Sequence, residues 1–514
     1  MHLNILATTD VHGHIHAYDY IADERKPRGL WGLKNYIEEV RNSGHTTLID
    51  IGDSFQGSPI SHISTYMYRP ESHPMKTAFE MLDYNGVVVG NHDFNYGYYF
   101  VDSIFRHSKF AYLAANVLRG DKEAFIPFLP IYVGDVKIAL LAITTPAVPW
   151  FEHPDNIKPY TFEDSVQTIK RWLPTLKEDF DHVILLAHMG FEKDPITGAK
   201  TRHLPFENAL YEILQTFPGE FPLIFHGHTH ERKEPQKIGD TWVVAPPPYA
   251  EGLMHVSVNI DKNIFNIIDI KLVPSQITET PQFIEELHNF TVRYMNQEIG
   301  ILEDDMEFTP VKDSDGMEYL LYIMEKYSGA DISVQSFMGK EPFVMKKGPV
   351  KIKDIYRIYP YENLLYVISM TGKEILDMLE KSAEYFKDFQ CEDDKVTLIR
   401  NPLVAFYNFD IYRGFHYTID LSKPFGERVS ADLIPEREYK VAVNSYRAGG
   451  SGGYLGFRVA RDRGILYSST VSIRDLIIRD IIQNGKIEQV KADNNWYFLP
   501  ECIKNASSIT YEPI

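Results

Sequence analysis

The chain has 514 residues, 44% of them hydrophobic, and 71 acidic against 52 basic side chains give it a formal net charge of -19. That length and apolar content support more than one buried core, and two domains are the expected number. The acidic balance argues against general affinity for nucleic-acid backbones or anionic membrane surfaces, both of which call for basic patches; a small anionic substrate stays open, because bound divalent cations invert a local field.

In chain order, His2 to Thr8 is a short apolar run that predicts a strand. Gly29 to Asn42 places Leu30, Leu33, Ile37 and Val40 at helical spacing. Thr46 to Ile51 is strand-like, and a helical MKTAFEMLDYN precedes a strand at Val87 to Val89. Thr161 with Asp164 suggests a capping box for a helix over TFEDSVQTIKRWLPTLKEDF. HVILLAHMG and FPLIFHGHTH then give two more apolar runs that end in histidine. This alternation predicts a layered α/β architecture.

The pattern changes near Pro274. Pro281 to Ile299 reads as one amphipathic helix and a candidate connector. Beyond Glu303 a second mixed domain is expected. Its helices fall at Gly316 to Tyr327, at Thr371 to Phe386 (with Thr371 and Glu374 as a capping box) and around Ser472 to Ile482; its strands fall at Leu364 to Met370 and Tyr439 to Ser445. The two cysteines, Cys391 and Cys502, exclude a disulfide framework while permitting one bridge. The opening MHLNILATTD lacks the basic n-region of a signal peptide, so a cytoplasmic location is expected; a secreted form trimmed of its leader would read the same way.

The chemistry gathers after the apolar runs of the first half. LNILATT is followed by Asp10 and His12, TTLIDI by Gly52 and Asp53, and VVV by Gly90, Asn91 and His92. VILLA is followed by His188, and PLIF by His226, Gly227 and His228. In α/β sheets functional groups collect just beyond the carboxyl ends of strands, so five such ends can converge on one spot. Imidazole, amide and carboxylate donors without a thiolate suit Mn²⁺, Fe²⁺, Co²⁺ or Zn²⁺. Seven donors exceed the needs of one such ion and suit two ions sharing a carboxylate. Asp53, alone on a glycine turn, is the best bridge. Two ions about 3.5–4 Å apart clamp a phosphate and activate a bridging water.

The order DxH, GD, GNH(D/E), H and GHxH resembles that of the calcineurin-like metallophosphoesterases. The whole chain resembles their two-domain branch of 5'-nucleotidases and 2',3'-cyclic-nucleotide phosphodiesterases. The resemblance implies an N-terminal four-layer α/β/β/α catalytic domain over residues 1–275, a connector or hinge over 276–302, and a C-terminal α+β nucleoside-binding domain over 303–514. It implies one metal held by Asp10, His12, Asp53 and His228, and a second held by Asp53, Asn91, His188 and His226. His92 would stabilise the phosphoryl transition state or protonate the leaving oxygen, with Asp93 and Asn95 beside it in the catalytic motif. Asn95 stands where 5'-nucleotidases carry an Asp, which resembles the GNHEFN of the cyclic-nucleotide branch.

In the second half, IYPYENLLYVISMTGKEI, YNFDIYRGFHYTIDLSKP and NSYRAGGSGGY resemble segments of that same branch. They imply Tyr361 and Tyr454 as two aromatic faces around the base, Asn363 bonded to it, and Arg447 near the substrate. The expected activity is therefore hydrolysis of 2',3'-cyclic nucleotides to 3'-nucleotides, with possible removal of the 3'-phosphate, and the partner is a small nucleotide. A 5'-nucleotidase or broad phosphomonoesterase with the same metals is the nearest alternative. A non-catalytic nucleotide-binding protein is the alternative from another class.

Overall fold

The structure, a computed structural model, describes residues 1–201 and 206–511. Two compact units divide the chain, Met1–Tyr294 and Met295–Ile514. The expected connector helix forms as Gln282–Met295, with all but its last residue inside the first unit. There His288 of this helix meets Tyr20 at 3.0 Å and its ring stacks on His16. The strand Glu298–Leu302 that follows pairs with Gly348–Lys351 inside the second unit.

The first unit holds two six-stranded sheets. In one, His2–Thr8, Thr46–Asp50, Gly86–Val88 and Ala111–Leu113 run parallel, and Gly252–Ile260 and Phe265–Pro274 close the His2–Thr8 side antiparallel. In the other, Val136–Thr144, His182–His188, Leu223–His226 and Thr241–Val244 are parallel, with antiparallel strands Phe128–Val133 and Gln236–Ile238 at the edges. Parallel strands covered on both faces are apolar without alternation, which is why VILLA and VVV read as unbroken runs.

Between the sheets, Ile5, Ile49, Val88 and Val256 pack with Leu140, Ile184, Leu186 and Phe225, all fully buried. On the outer face of the second sheet, helices Ser165–Asp179 and Leu210–Thr216 contribute Ile169, Leu173 and Ile213 to a further core with Leu141 and Leu185. Leu6, Leu48 and Val87 alternate onto the outer face of the first sheet and are also buried, as are Ile37 and Val40 of helix Lys34–Ser43 and Ala78 and Phe79 of helix Pro74–Met81.

Several element ends differ from expectation: the helices expected to reach Ile299 and Phe386 stop at Met295 and Ser382, and strands take up Ile299 and Phe386. The first helix opens as a tighter 3₁₀ turn, Leu30–Leu33, before Lys34–Ser43. Thr161 is drawn into a short strand with Leu118, so Asp164 alone caps the next helix, accepting from the Gln167 N–H at 2.9 Å. The box at Thr371 and Glu374 does form, with reciprocal bonds of 3.2 and 2.9 Å.

The second unit is built on a five-stranded sheet in the order Asp410–Arg413, Ile332–Ser336, Glu438–Asn444, Leu364–Thr371, Ile465–Ser472. Helices Asp315–Ser328, Gly372–Ser382 and Ile473–Asn484 accompany it. The one bridge that two cysteines permit is formed, Cys391 to Cys502 across 111 residues of sequence.

Candidate active site

Strand register sets the site. Thr8 pairs with Asp50 and Thr144 with His188, so the carboxyl ends of both sheets release their polar residues at one edge. There Asp10, His12, Asp53 and His230 form one group whose ligand atoms lie within 4.8 Å of one another, and Asp53, His188 and His228 form a second. Asp53 belongs to both.

Of these six residues, five adopt left-handed backbone: Asp10 (φ 47), His12 (φ 47), Asp53 (φ 57), His228 (φ 75) and His230 (φ 52). Such conformations cost free energy in non-glycine residues and persist where a site over-determines them. Glycines make the convergence possible: a Cβ on Gly90 would stand 2.2 Å from Asp53 Oδ1, and one on Gly227 would stand 2.7 Å from Asp10 Oδ2.

The ring nitrogens are assigned by their partners. His12 Nδ1 donates to the Gln56 carbonyl and His188 Nδ1 to the Ile51 carbonyl, each at 2.7 Å. Both Nε2 atoms then turn toward Asp53 Oδ2, at 3.8 Å from His12 and 3.2 Å from His188. Asp53 Oδ2 is buried and has no well-formed hydrogen bond. Imidazole lone pairs facing a buried carboxylate oxygen repel it unless positive charge lies among them. Burial pulls the His188 imidazole down, but the neighbouring Asp53 carboxylate overrides it and pushes it up to about 10. Burial would raise Asp53, yet His188 and His92 hold it well below the usual carboxylate range. The site asks for cations at this point, and this donor set fits divalent metal ions.

Asn91 Oδ1 lies 3.2 Å from His188 Nε2, so Asn91 joins the second group. His228 donates its backbone N–H to Asp10, and its Nε2 meets Glu207 Oε1 at 3.0 Å. His226 is not brought in. It is still inside its strand, paired with Ala187, and its ring lies edge-on to Phe191 of the outer core, with Nδ1 unpartnered. The histidine pair at this corner is therefore His228 and His230, one step later than the expected His226 and His228. The tetrapeptide Gly227-His228-Thr229-His230 carries the signal; counting from the end of the apolar run missed it.

His92 donates its backbone N–H to Asp53 Oδ1 at 2.7 Å, and its ring lies edge-on to His12, centroids 5.3 Å apart. Its Nδ1 meets Asn95 Oδ1 at 2.8 Å. Asp93 does not face this space. It is fully buried and braces the turn, accepting from the N–H groups of Ser54 (3.0 Å), Phe55 (3.3 Å) and Gly90 (2.8 Å). Burial, then the Asp53 charge, push it up to about 7.

In the second unit Tyr361 is 41% exposed, whereas Tyr454 is 1% exposed. Tyr454 donates its hydroxyl to the Asn408 carbonyl at 2.7 Å, and the Arg447 guanidinium covers its ring at 3.9 Å. The expectation of two open aromatic faces finds one. Arg447 is likewise buried, donating to Asp410 Oδ1 (2.8 Å), the Ser451 carbonyl (2.7 Å) and Asn408 Oδ1 (3.2 Å). Its N–H groups secure the glycine-rich loop and are turned inward. Asn363 lies near the buried Tyr359 hydroxyl, which donates to Gln335 Oε1 at 3.4 Å.

Residues 3–232 match the calcineurin-like phosphoesterase family and residues 303–459 match the 5'-nucleotidase C-terminal domain. The trifunctional nucleotide phosphoesterase protein YfkN of Bacillus subtilis is 25% identical over 100% of this chain, which spans only 40% of that relative's length. The 2',3'-cyclic-nucleotide 2'-phosphodiesterase/3'-nucleotidase of Salmonella typhimurium is 24% identical over 99% of this chain and 91% of its own. Among solved structures, a Staphylococcus aureus protein described as a 5'-nucleotidase, in complex with alpha-ketoglutarate, superimposes with a TM-score of 0.87. It is 25% identical, over 97% of this chain and 100% of that one.

Proposed function

The chain belongs to the calcineurin-like phosphoesterases that carry a 5'-nucleotidase C-terminal domain, and on that footing we propose that it hydrolyses 2',3'-cyclic nucleotides to 3'-nucleotides. The observation that carries the reading is Asp53, shared by two ligand groups while accepting the His92 backbone N–H. Asp10, His12, Asp53 and His230 would hold one divalent cation, and Asp53, Asn91, His188 and His228 the other. Bound there, the two cations supply Lewis-acid stabilisation of the phosphoryl group and activation of water. The mixed nitrogen and oxygen donors favour Mn²⁺, Zn²⁺, Co²⁺ or Fe²⁺.

His92 has its Nδ1 committed to Asn95, so Nε2 is the atom that meets the reacting phosphoester. In a 2'-phosphodiester cleavage the leaving group is the ribose 2'-oxygen, a poor one, and a proton delivered from Nε2 of the imidazolium, which leaves the neutral ring protonated on Nδ1, lowers that barrier. Tyr361, open to solvent, is the proposed stacking face for the base. Several relatives named 2',3'-cyclic-nucleotide 2'-phosphodiesterase/3'-nucleotidase support the substrate class. The Cys391–Cys502 bridge favours an oxidising compartment over the cytoplasm expected from the opening residues, because such bonds persist where thiols are not kept reduced.

The likeness to a protein described as a 5'-nucleotidase favours the second reading, a 5'-nucleotidase using the same metals. The Mn²⁺-loaded protein assayed against 2',3'-cAMP, 3'-AMP and 5'-AMP separates the two. The highest kcat/KM is expected for 2',3'-cAMP, and preference for 5'-AMP overturns the first reading.

A further inference from the structure

Asn95 was the feature that set this motif apart from one ending in a carboxylate. The structure shows where the carboxylate has gone. Asn95 Nδ2 donates to Glu152 Oε2 at 2.6 Å, at a separation of 57 residues. Glu152 is 6% exposed. Its other oxygen, Oε1, accepts from the His153 N–H at 2.7 Å and from Asn156 Nδ2 at 2.9 Å. Asn156 Nδ2 also donates to the Asn95 backbone carbonyl at 3.1 Å, which fixes the Asn156 amide as a donor. A backbone N–H and a fixed amide therefore both point at Oε1, and Oε2 is left to Asn95.

An ionised carboxylate only accepts hydrogen bonds, whereas an amide group has one donating and one accepting end. With Nδ2 committed to Glu152, Asn95 must present Oδ1 to His92, and an oxygen there requires the proton on Nδ1. We propose that Glu152 is the positioning residue of His92: acting through the Asn95 amide, it keeps a proton on Nδ1, so that Nε2 faces the reacting phosphoester and is the nitrogen that takes up and gives back the catalytic proton. Asn95 and Glu152 together replace the single Asp of the neighbouring branch, with the negative charge moved one side chain outward. Glu152 touches neither metal ligand nor substrate in this scheme. The inference rests on the reading of His92 as the group that meets the phosphoester.

The pairing is polar in one direction, so it can be inverted. Glu152→Gln places an N–H₂ against the Asn95 N–H₂, turns the Asn95 amide over and gives His92 the wrong tautomer. Asn95→Asp sets two carboxylates against each other. The double variant Asn95→Asp/Glu152→Gln restores every donor–acceptor pair: Gln Oε1 keeps the His153 and Asn156 bonds, and Gln Nε2 donates to the new Asp.

Each single variant should lose about 10- to 100-fold in kcat with KM within about twofold and metal content unchanged, the range seen when outer partners of functional imidazoles are removed. The double variant should recover to within about threefold of wild type, since the hydrogen-bond pattern is regained. Wild-type kcat in Glu152→Gln, or a double variant no better than Asn95→Asp, overturns the proposal. Ring ¹⁵N shifts of His92 in the wild-type protein give a readout free of folding defects, and an Nε2–H tautomer overturns the proposal as well. Rates are read on both 2',3'-cAMP and phenyl phosphate. Turnover of phenyl phosphate alone would sink the cyclic-nucleotide reading while still reporting on Glu152.

Discussion

His12 and His230 bring their Nε2 atoms to 2.9 Å of each other across 218 residues of sequence. His12 Nδ1 is already committed to Gln56, so its Nε2 carries a lone pair, and His230 Nε2 also stands 3.3 Å from Asp10 Oδ1. Two imidazole nitrogens and a carboxylate at such spacing are what a shared cation requires. His230→Ala should therefore lower bound metal from about two ions per chain to about one, with kcat down by at least about 100-fold. His226→Ala should keep both ions. Elemental analysis of the purified variants decides the matter, and the reverse pattern would restore His226 to the ligand set.

Much of this corner was legible because each apolar run stops at a polar residue, and parallel strands must stop at the same edge. Asp10, His12, Asp53, Asn91 and His188 all follow that rule. His228 was legible in the same way but His230 was not, since the strand Leu223–His226 runs one residue past its last apolar side chain and both histidines sit on the turn beyond. Their positive φ values come from tertiary fit, which residue type alone does not encode. Glu152 carried no local signal, because its partner is 57 residues away. Tyr454 and Arg447 were misplaced for a related reason: a loop motif fixes neighbours along the chain, but burial of that loop depends on Asp410 and Asn408, which lie in another segment.

Removing the imidazole of His92 should separate catalysis from metal binding. Its ring is engaged with Asn95, and only its backbone N–H reaches Asp53, a bond that Ala retains. His92→Ala should keep wild-type metal content and lose about 10²- to 10⁴-fold in kcat, the usual contribution of a positioned acid or base. The loss should be smaller on p-nitrophenyl phosphate, whose leaving group needs no proton. A variant that arrives depleted of metal would make His92 a ligand instead.

Tyr361 and Tyr454 should respond in opposite ways. Truncating the exposed Tyr361 to Ala should raise KM for nucleotides about 5- to 150-fold, the equivalent of about 1–3 kcal/mol of base stacking, and leave phenyl phosphate unaffected. Truncating the buried Tyr454 should cost about 3–5 kcal/mol of stability through lost packing. It should lower Tm without any selectivity between nucleotide and aryl substrates. A selective KM effect at Tyr454 with unchanged Tm would return it to the binding surface.

The second unit should lose stability as pH rises from about 4.5 toward neutrality, and Glu318 is the reason. Its side chain is fully buried, with Oε2 on Arg413 and Oε1 without a partner. Burial, and then the nearby Asp313 charge, push its carboxyl up from 4.5 to about 7. Between those values the folded state holds a proton that the unfolded chain has released, so unfolding releases a proton and becomes easier as pH climbs. The stabilisation is complete below about pH 4.5 and is lost by about pH 7.5. Glu318→Gln keeps a neutral acceptor for Arg413 at every pH and removes this dependence. Relative to wild type, the variant should therefore gain about 1–3 kcal/mol between pH 4.5 and 7.5, with little further change above. Paired urea melts across that window read the difference directly, and a difference that is flat with pH would mean that Glu318 is already ionised in the fold.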